Sequence, residues 1–200
     1  MLGLPQSTEV KRPLPKVQLF KRFDWTASQR ERFDAEVSRL DFVNWISPQT
    51  VPAIAVGNEV KEIFVVEVQL KSREFDTKEI TLLAKNIPQH IVYVLRYEEE
   101  AMLAVYHSKL FVSPWRTTDD ITLPLTGLNL DAVWENIVSS VGNFSIEADN
   151  SLSEQIKIDE EHAKLERQIA TLERQMNATK QPRRKRELFV ELQKLKGNLI

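Results

Sequence analysis

The chain has 200 residues, of which 42% are apolar and 28% charged, a composition typical of one ordinary globular domain with an appendage. It contains no cysteine, which excludes disulfides, thiolate metal sites, iron–sulfur clusters and a cysteine nucleophile. No apolar run approaches the roughly 18 residues of a membrane helix and no secretory leader pattern opens the sequence, so we expect a soluble, cytoplasmic protein that does not contact a membrane.

The formal net charge of −2 conceals a division of the chain into two parts. Residues 151–200 carry 11 basic and 8 acidic side chains, whereas residues 1–150 carry 16 and 21. The apolar pattern changes at the same place, from short alternating segments to long heptads. We therefore predict a basic, proline-containing arm over residues 1–25, an α/β sheet domain over 26–150 and a helical hairpin over 151–200.

The arm interleaves cations, among them Lys11 and Arg12, with the aromatic residues Phe20, Phe23 and Trp25. Its prolines prevent a continuous helix and leave room for one short helix over 16–23. Cations beside aromatic rings are suited to single-stranded nucleic acid. The alternative is structural, because such rings more often fix an arm to the core of its own domain.

The sheet domain is predicted from alternating patterns and turn residues. We expect helices over 26–41, 77–86 and 130–141, and strands over 41–46, 50–56, 62–71, 90–97, 101–107, 110–115 and 121–125. Three glutamates at 98–100 form the turn of a strand hairpin. This order of elements predicts an α/β or α+β fold in which helices flank a mixed sheet.

Two runs of apolar residues follow at spacings of three and four, a pattern typical of helices that pack along a seam. The seam residues are Ile158, Leu165, Ile169, Leu172 and Met176 in the first run, where His162 occupies the position between Ile158 and Leu165, and Leu188, Leu192, Leu195 and Leu199 in the second. Pro182 interrupts the helix between them, which predicts an antiparallel, coiled-coil-like hairpin. Such a hairpin cannot bury both faces alone, so we expect it to pack on its own sheet domain, a second copy or another subunit.

The predicted strand over 62–71 carries the clearest candidate chemistry. Alternation along a strand places Glu67, Gln69 and Lys71 on one side. They resemble the central strand of the restriction-endonuclease-like nucleases, where an acid, one spacer and a lysine follow an upstream acid and precede a helix. The resemblance implies carboxylates that hold Mg²⁺ and a lysine that activates or positions water. Asp41 or Glu59 is then the upstream acid.

One residue departs from the nuclease pattern. Gln69 stands where an acid is usual, and a neutral amide is a poor ligand for a hard divalent cation. The alternative interpretation is structural: a strand with one solvent-facing edge, or Lys71 paired with Glu67. Mg²⁺ under the nuclease alternative is the one cofactor that the sequence suggests.

Other reaction classes find no support in the sequence. His90, His107 and His162 do not have metal-ligand spacing, and we interpret them as core or interface residues. No glycine-flanked serine forms a nucleophile elbow. The five glycines are isolated, so we predict neither a phosphate-binding loop nor a nucleotide site.

A second basic patch lies between the two seams. Five cations fall within seven residues there: Lys180, Arg183, Arg184, Lys185 and Arg186. Such a cluster is suited to a phosphate backbone or to an acidic protein surface. The structural alternative is a solvated turn whose charges complement the end of a helix.

Four segments carry a family resemblance: MLGLPQSTEV, EIFVVEVQLK, KNIPQHIVYVLRYEEEAMLAVY and KQPRRKRELFVELQKLK. Together they resemble the bacterial domain-of-unknown-function family 4391 over essentially the whole chain. The resemblance implies a companion of helicases and DNA methyltransferases in restriction-type and antiphage gene clusters. It implies no catalytic residues.

We therefore expect a non-catalytic accessory subunit of a bacterial DNA-processing defence complex. Its hairpin would bind a helicase, a methyltransferase or a second copy. A Mg²⁺-dependent nuclease of the restriction-endonuclease-like fold, active or degenerate, is one alternative. A nucleic-acid-binding module that acts through the basic patches is the other.

Overall fold

The computed structural model describes residues 2–147 and 149–197. It divides into two compact units, Met1–Ser145 and Ile146–Ile200. The first contains the helices α1 (Lys16–Arg22), α2 (Ala27–Glu36), α3 (Thr77–Asn86) and α4 (Leu130–Gly142), and the strands β1 (Glu9–Pro13), β2 (Val37–Ile46), β3 (Ile63–Leu70), β4 (His90–Tyr97), β5 (Glu100–His107), β6 (Lys109–Val112) and β7 (Arg116–Thr117). The second contains α5 (Leu152–Ala178) and α6 (Pro182–Gly197).

The strands of the described chain form one seven-stranded sheet. Its order is β1-β2-β3-β4-β5-β6, and β7 also pairs with β5. β3 and β4 are parallel, while the other pairs are antiparallel. Parallel neighbours need a crossover connection, which α3 supplies between them. The predicted mixed sheet flanked by helices is confirmed.

One face of the sheet is covered by α1, α2 and α3. Its core includes Phe33 of α2, Leu83 of α3 and Val68 of β3, all fully buried. The rings of Phe20 and Trp25 lie against Phe33, with centroids 6.2 and 5.1 Å away. These aromatic residues of the predicted arm therefore fix it to the core, which is the structural alternative for them.

The opposite face of the sheet is covered by α4. This helix begins at Asn129, whose side chain accepts a hydrogen bond from the backbone N–H of Ala132. Val133 and Ile137 are buried on the side of α4 that packs on the sheet. Each face of the sheet therefore has its own helical layer, in agreement with the uninterrupted burial of residues 91–95 on β4.

The helix predicted over 26–41 is too long. α2 begins as predicted after Thr26, which forms a capping box with Gln29, but it ends at Glu36. Val37 enters β2, which pairs with β3 as far as Ile46. Pairing with the central strand outweighs the weak preference of a short helix to extend, because most helix stability comes from tertiary packing.

Two predicted strands are wrong. The segment 50–56 is a series of turns in which Ala55 forms an isolated bridge, and in 121–125 Thr122 forms another. Pro52 and Pro124 lie in these segments and have no N–H for a sheet ladder. For the same reason the strand predicted over 110–115 stops as β6 before Pro114.

The second unit is the predicted pair of helices. α5 begins with a capping box between Ser151 and Glu154. Pro182 is the first residue of α6. A backbone N–H at this position has no partner within the helix, so proline costs no helical hydrogen bond there. The ammonium of Lys196 lies 2.9 Å from the carboxylate of Glu173 and joins the two helices. Coiled-coil packing of this hairpin stays a prediction.

Candidate functional site

The register of the sheet brings several predicted site residues together. Asp41 of β2 lies directly opposite Glu67 of β3, and Gln69 follows on the same face. Gln69 is flanked by Arg39 of β2 and Arg96 of β4. We call these five residues the strand site. The side chains of its two acids are 17% and 15% exposed, so both carboxylates are largely shielded from solvent.

One guanidinium group is hydrogen-bonded to a carboxylate of the strand site, and a second lies near the other carboxylate. Arg39 Nε lies 2.5 Å from Asp41 Oδ2, and Arg96 Nη1 lies 3.9 Å from Glu67 Oε1. The amide of Gln69 donates a hydrogen bond to the backbone oxygen of Arg96 at 3.4 Å. A divalent cation at this position has to compete with two guanidinium groups for its ligands. Across the described ranges, no three acid or histidine side chains are arranged to share a metal ion.

Lys71 does not complete the nuclease pattern. Its ammonium donates to the backbone oxygen of Asp34 at 2.5 Å, and its N–H donates to the oxygen of Glu36 at 2.8 Å. These carbonyls belong to the last turn of α2, where no helical N–H is available to them. A lysine at the C-terminus of a helix also interacts favourably with the helix dipole. Lys71 therefore stabilises the end of α2.

Glu59, the other candidate for the upstream acid, lies at the opposite end of β3. Its carboxylate acts electrostatically on the half-buried imidazoles of His90 and His107. The Trp134 ring lies 4.8 Å from that of His90, and its N–H donates a long hydrogen bond of 3.5 Å to His107 Nδ1. Burial lowers the pKa of both histidines. Of the two candidates for the upstream acid, Asp41 lies opposite Glu67 and Glu59 does not.

Two cations of the arm, Lys11 and Arg12, belong to the edge strand β1. Lys11 has a φ of +50° at the irregularity of β1, and its ammonium lies 2.8 Å from the carboxylate of Glu9. Arg12 is exposed and pairs with Phe42 of β2. Charged residues on an edge strand discourage pairing with other chains.

The second basic patch is mostly helical. The sequence predicts a turn here, whereas α6 begins at Pro182 and includes four of the five cations. We call the cluster the basic tip; its members Lys180, Arg183, Arg184, Lys185 and Arg186 are all exposed. Glu187 lies 3.5 Å from Arg183 Nε and 3.2 Å from Arg184 Nη1.

The predicted seam residues differ in burial. Ile169, Leu188 and Leu192 are buried, Leu165, Leu172, Met176 and Leu195 are half-buried, Ile158 is exposed, and Leu199 lies outside the described residues. Two large apolar residues of α6 that the seam does not include are also exposed, Phe189 by 49% and Val190 by 63%. The apolar surface of α6 therefore extends beyond the side that packs against α5.

A comparison with protein families shows to which family the chain belongs. The model of the family described as Domain of unknown function (DUF4391) matches residues 2–199. The chain belongs to this family. Neither the curated proteins nor the solved structures include a match. In the part of this DUF4391 protein that the structure describes, no helix has the length and apolar character to cross a membrane.

Asp131 is a structural residue of this DUF4391 protein that sequence reasoning misses. Its carboxylate accepts hydrogen bonds from the N–H groups of Asn58, Glu59 and Val60 at 2.5, 3.1 and 2.7 Å. These bonds, above all that from Val60, hold the pKa of Asp131 below its usual value. Gly57 leaves room for the carboxylate, since a Cβ there would lie 2.2 Å from its Oδ1. The partners are 71 to 73 residues apart, so no local pattern predicts the contact.

Proposed function

We propose that this DUF4391 protein is a non-catalytic accessory subunit of a bacterial DNA-processing defence complex. Its partner in that complex would be a DNA-processing enzyme, a helicase or a methyltransferase, and α6 would be the docking element. The observation that carries the proposal is the exposure of Phe189 and Val190. The family resemblance in the sequence supplies the class of partner.

The strand site supports the non-catalytic part of the proposal. Its two carboxylates already have guanidinium partners from the same sheet. The ammonium of Lys71, the group expected to act on water, is instead bound to the end of α2. Charged groups that satisfy one another in this way stabilise a fold and need no substrate to do so.

The second unit supports the docking part of the proposal. Leu188 and Leu192 of α6 are buried, while Phe189 and Val190 between them are exposed. Covering large apolar side chains on binding is favourable, by roughly 25 cal/mol for each Å² removed from water. Aromatic residues are also frequent among the side chains that dominate interface energies. α6 thus offers an apolar patch for a partner protein.

Co-purification of the full chain with its neighbours tests the proposal. The chain is co-expressed with its gene neighbours, with a helicase and a methyltransferase as the candidate partners, as wild type and as the double variant Phe189→Asp/Val190→Asp. We expect the enzyme to co-purify with the wild type and to be lost with the double variant. The matched control is Leu128→Asp, since Leu128 is 89% exposed in the sheet unit, and it should retain the partner.

Two outcomes of this test contradict the proposal. Equal recovery of the enzyme with the wild type and the double variant would remove α6 from the interface. A concentration-dependent dimer in sedimentation, lost in the double variant while no enzyme binds, would assign the patch to a second copy of the chain.

A Mg²⁺-dependent nuclease is the second candidate, and the placement of Asp41 directly opposite Glu67 favours it. The test is Mg²⁺-dependent nicking of plasmid DNA by the wild type and by Glu67→Gln. The accessory-subunit proposal expects no nicking by either protein. Nicking by the wild type that disappears in Glu67→Gln would establish the nuclease and overturn the non-catalytic proposal.

A further inference from the structure

We infer that the basic tip of α6 binds the phosphate backbone of duplex DNA. This inference is independent of the docking role of Phe189 and Val190, because it concerns the first turns of the helix and needs no partner protein. It rests on where the tip lies along the hairpin, on how its charges are distributed around the helix and on how few of them are neutralised.

The tip lies at the turn of the hairpin and is open to solvent. The side chains of Arg183 and Arg184 are 95% and 55% exposed. Lys180, Lys185 and Arg186 are exposed as well. An extended anion can therefore approach the tip.

The cations of the tip surround the helix. Four consecutive cationic positions, residues 183–186, point in directions about 100° apart and so cover the whole circumference. A flat acidic protein surface can contact one side of such a helix. The major groove of B-form DNA is about 12 Å wide, admits an α-helix and has phosphates on both sides of it. The corresponding groove of duplex RNA is too narrow. The distribution of charge therefore favours duplex DNA.

The charges of the tip are only partly neutralised within the chain. Glu187 serves both Arg183 and Arg184. Among the described residues, no acid pairs with Lys185 or Arg186. The first turn of α6 has no acidic residue, so the cations lie at the end of the helix where the dipole disfavours them. Phosphates at the tip would relieve this unfavourable interaction.

Binding of a short, fluorescently labelled duplex to the full chain, measured by anisotropy over a series of salt concentrations, tests the inference. The variant replaces the helical cations of the tip: Arg183→Ala, Arg184→Ala, Lys185→Ala and Arg186→Ala. Alanine keeps the helix, which circular dichroism verifies. We expect at least about tenfold weaker binding at low salt, and a salt slope that falls by about 0.9 for each phosphate contact removed.

The matched control removes the same number of charges from α5, as Lys157→Ala, Lys164→Ala, Arg167→Ala and Arg174→Ala. It should bind the duplex nearly as well as the wild type, and so should Phe189→Ser/Val190→Ser, which removes the apolar patch without adding charge and separates this inference from the docking proposal. Three results would overturn the inference: no binding by the wild type, an equal loss in both fourfold variants, or a preference of the tip for polyglutamate or anionic lipid vesicles over the duplex.

Discussion

The sheet unit and α6 differ in how far their charged side chains are shielded from solvent and paired. In the sheet, the side chains of Asp41 and Glu67 are largely shielded from solvent. Arg39 lies beside Asp41 on β2, and Arg96 of the next strand, β4, lies near Glu67. In α6, the guanidinium of Arg183 is almost fully exposed, and Glu187 is shared between two arginines. The difference teaches that a suggestive row of charged residues is weak evidence for chemistry when the fold pairs its members. Charge and apolar area that the chain leaves uncovered are better evidence for an interaction.

The largest expected effect is the loss of stability when a core residue of the sheet unit is truncated. Phe33 is fully buried between α2 and the sheet, so Phe33→Ala removes a large ring from a packed core. We expect the free energy of unfolding of the sheet unit to fall by about 3–5 kcal/mol. Chemical denaturation monitored by tryptophan fluorescence measures this. Val17→Ala, at an exposed position of α1, is the control and should change it little.

A matching truncation in the hairpin should have a smaller and more local effect. Leu192 of α6 is buried and contributes to the packing between α5 and α6. We expect Leu192→Ala to reduce local stability by about 2 kcal/mol, at the low end for leucine truncations. Hydrogen exchange should then accelerate in α5 and α6 and stay unchanged in β3 and β4. Accelerated exchange throughout the sheet would show that the hairpin is not a separate unit of stability.

The loop held by Asp131 offers a third comparison. In Gly57→Ala, the new Cβ would lie 2.2 Å from the Asp131 carboxylate and 2.8 Å from its backbone nitrogen. We expect a loss of about 1–3 kcal/mol in the free energy of unfolding, because the loop or α4 must move. In α6, Gly197→Ala meets no atom within 4 Å and is the matched control. Equal stability of the two variants in thermal unfolding would contradict the tight approach.

The smallest effect is a dependence on pH. Burial lowers the pKa of His90 and His107 in the folded protein, so the unfolded chain binds protons more readily at these positions. Stability should therefore decline as pH falls below about 6.5, the ordinary pKa of histidine, and His90→Gln should reduce the slope. A second variant, His107→Gln, should reduce the slope as well. Denaturation midpoints over a pH series measure both.

Local sequence patterns predicted several elements to the residue. The bounds of α3 and β4 agree with the predicted ranges 77–86 and 90–97. Asp76 caps α3, and an uninterrupted apolar run defines β4. The end of α2 was not predictable in this way, since it depends on pairing between β2 and β3, which are distant in sequence. The helical start of α6 was missed because Pro182 indicates a break, although proline is also favoured at the first position of a helix.

Three of the five residues of the strand site, Asp41, Glu67 and Gln69, were predicted from the sequence, whereas its two arginines and its geometry were not. Alternation alone places Glu67 and Gln69 on one face of β3. That Asp41, and not Glu59, lies opposite Glu67 depends on a register that shifts near Val37 and near Phe42. A shift of one residue moves every following side chain to the other face, and short-range patterns do not report it. The arginine partners arise differently: Arg39 lies two residues before Asp41 on β2, and the pairing of β3 with β4 places Arg96 near Glu67.

Hydrogen exchange along the full chain, measured alone and with the enzyme that the co-purification experiment identifies as its partner, tests the central claim most directly. If α6 is the interaction element and the strand site is structural, the partner should slow exchange in Pro182–Gly197 and leave β2 and β3 unchanged. Slower exchange around Asp41 and Glu67, with none in α6, would contradict the account and return the strand site to a functional role.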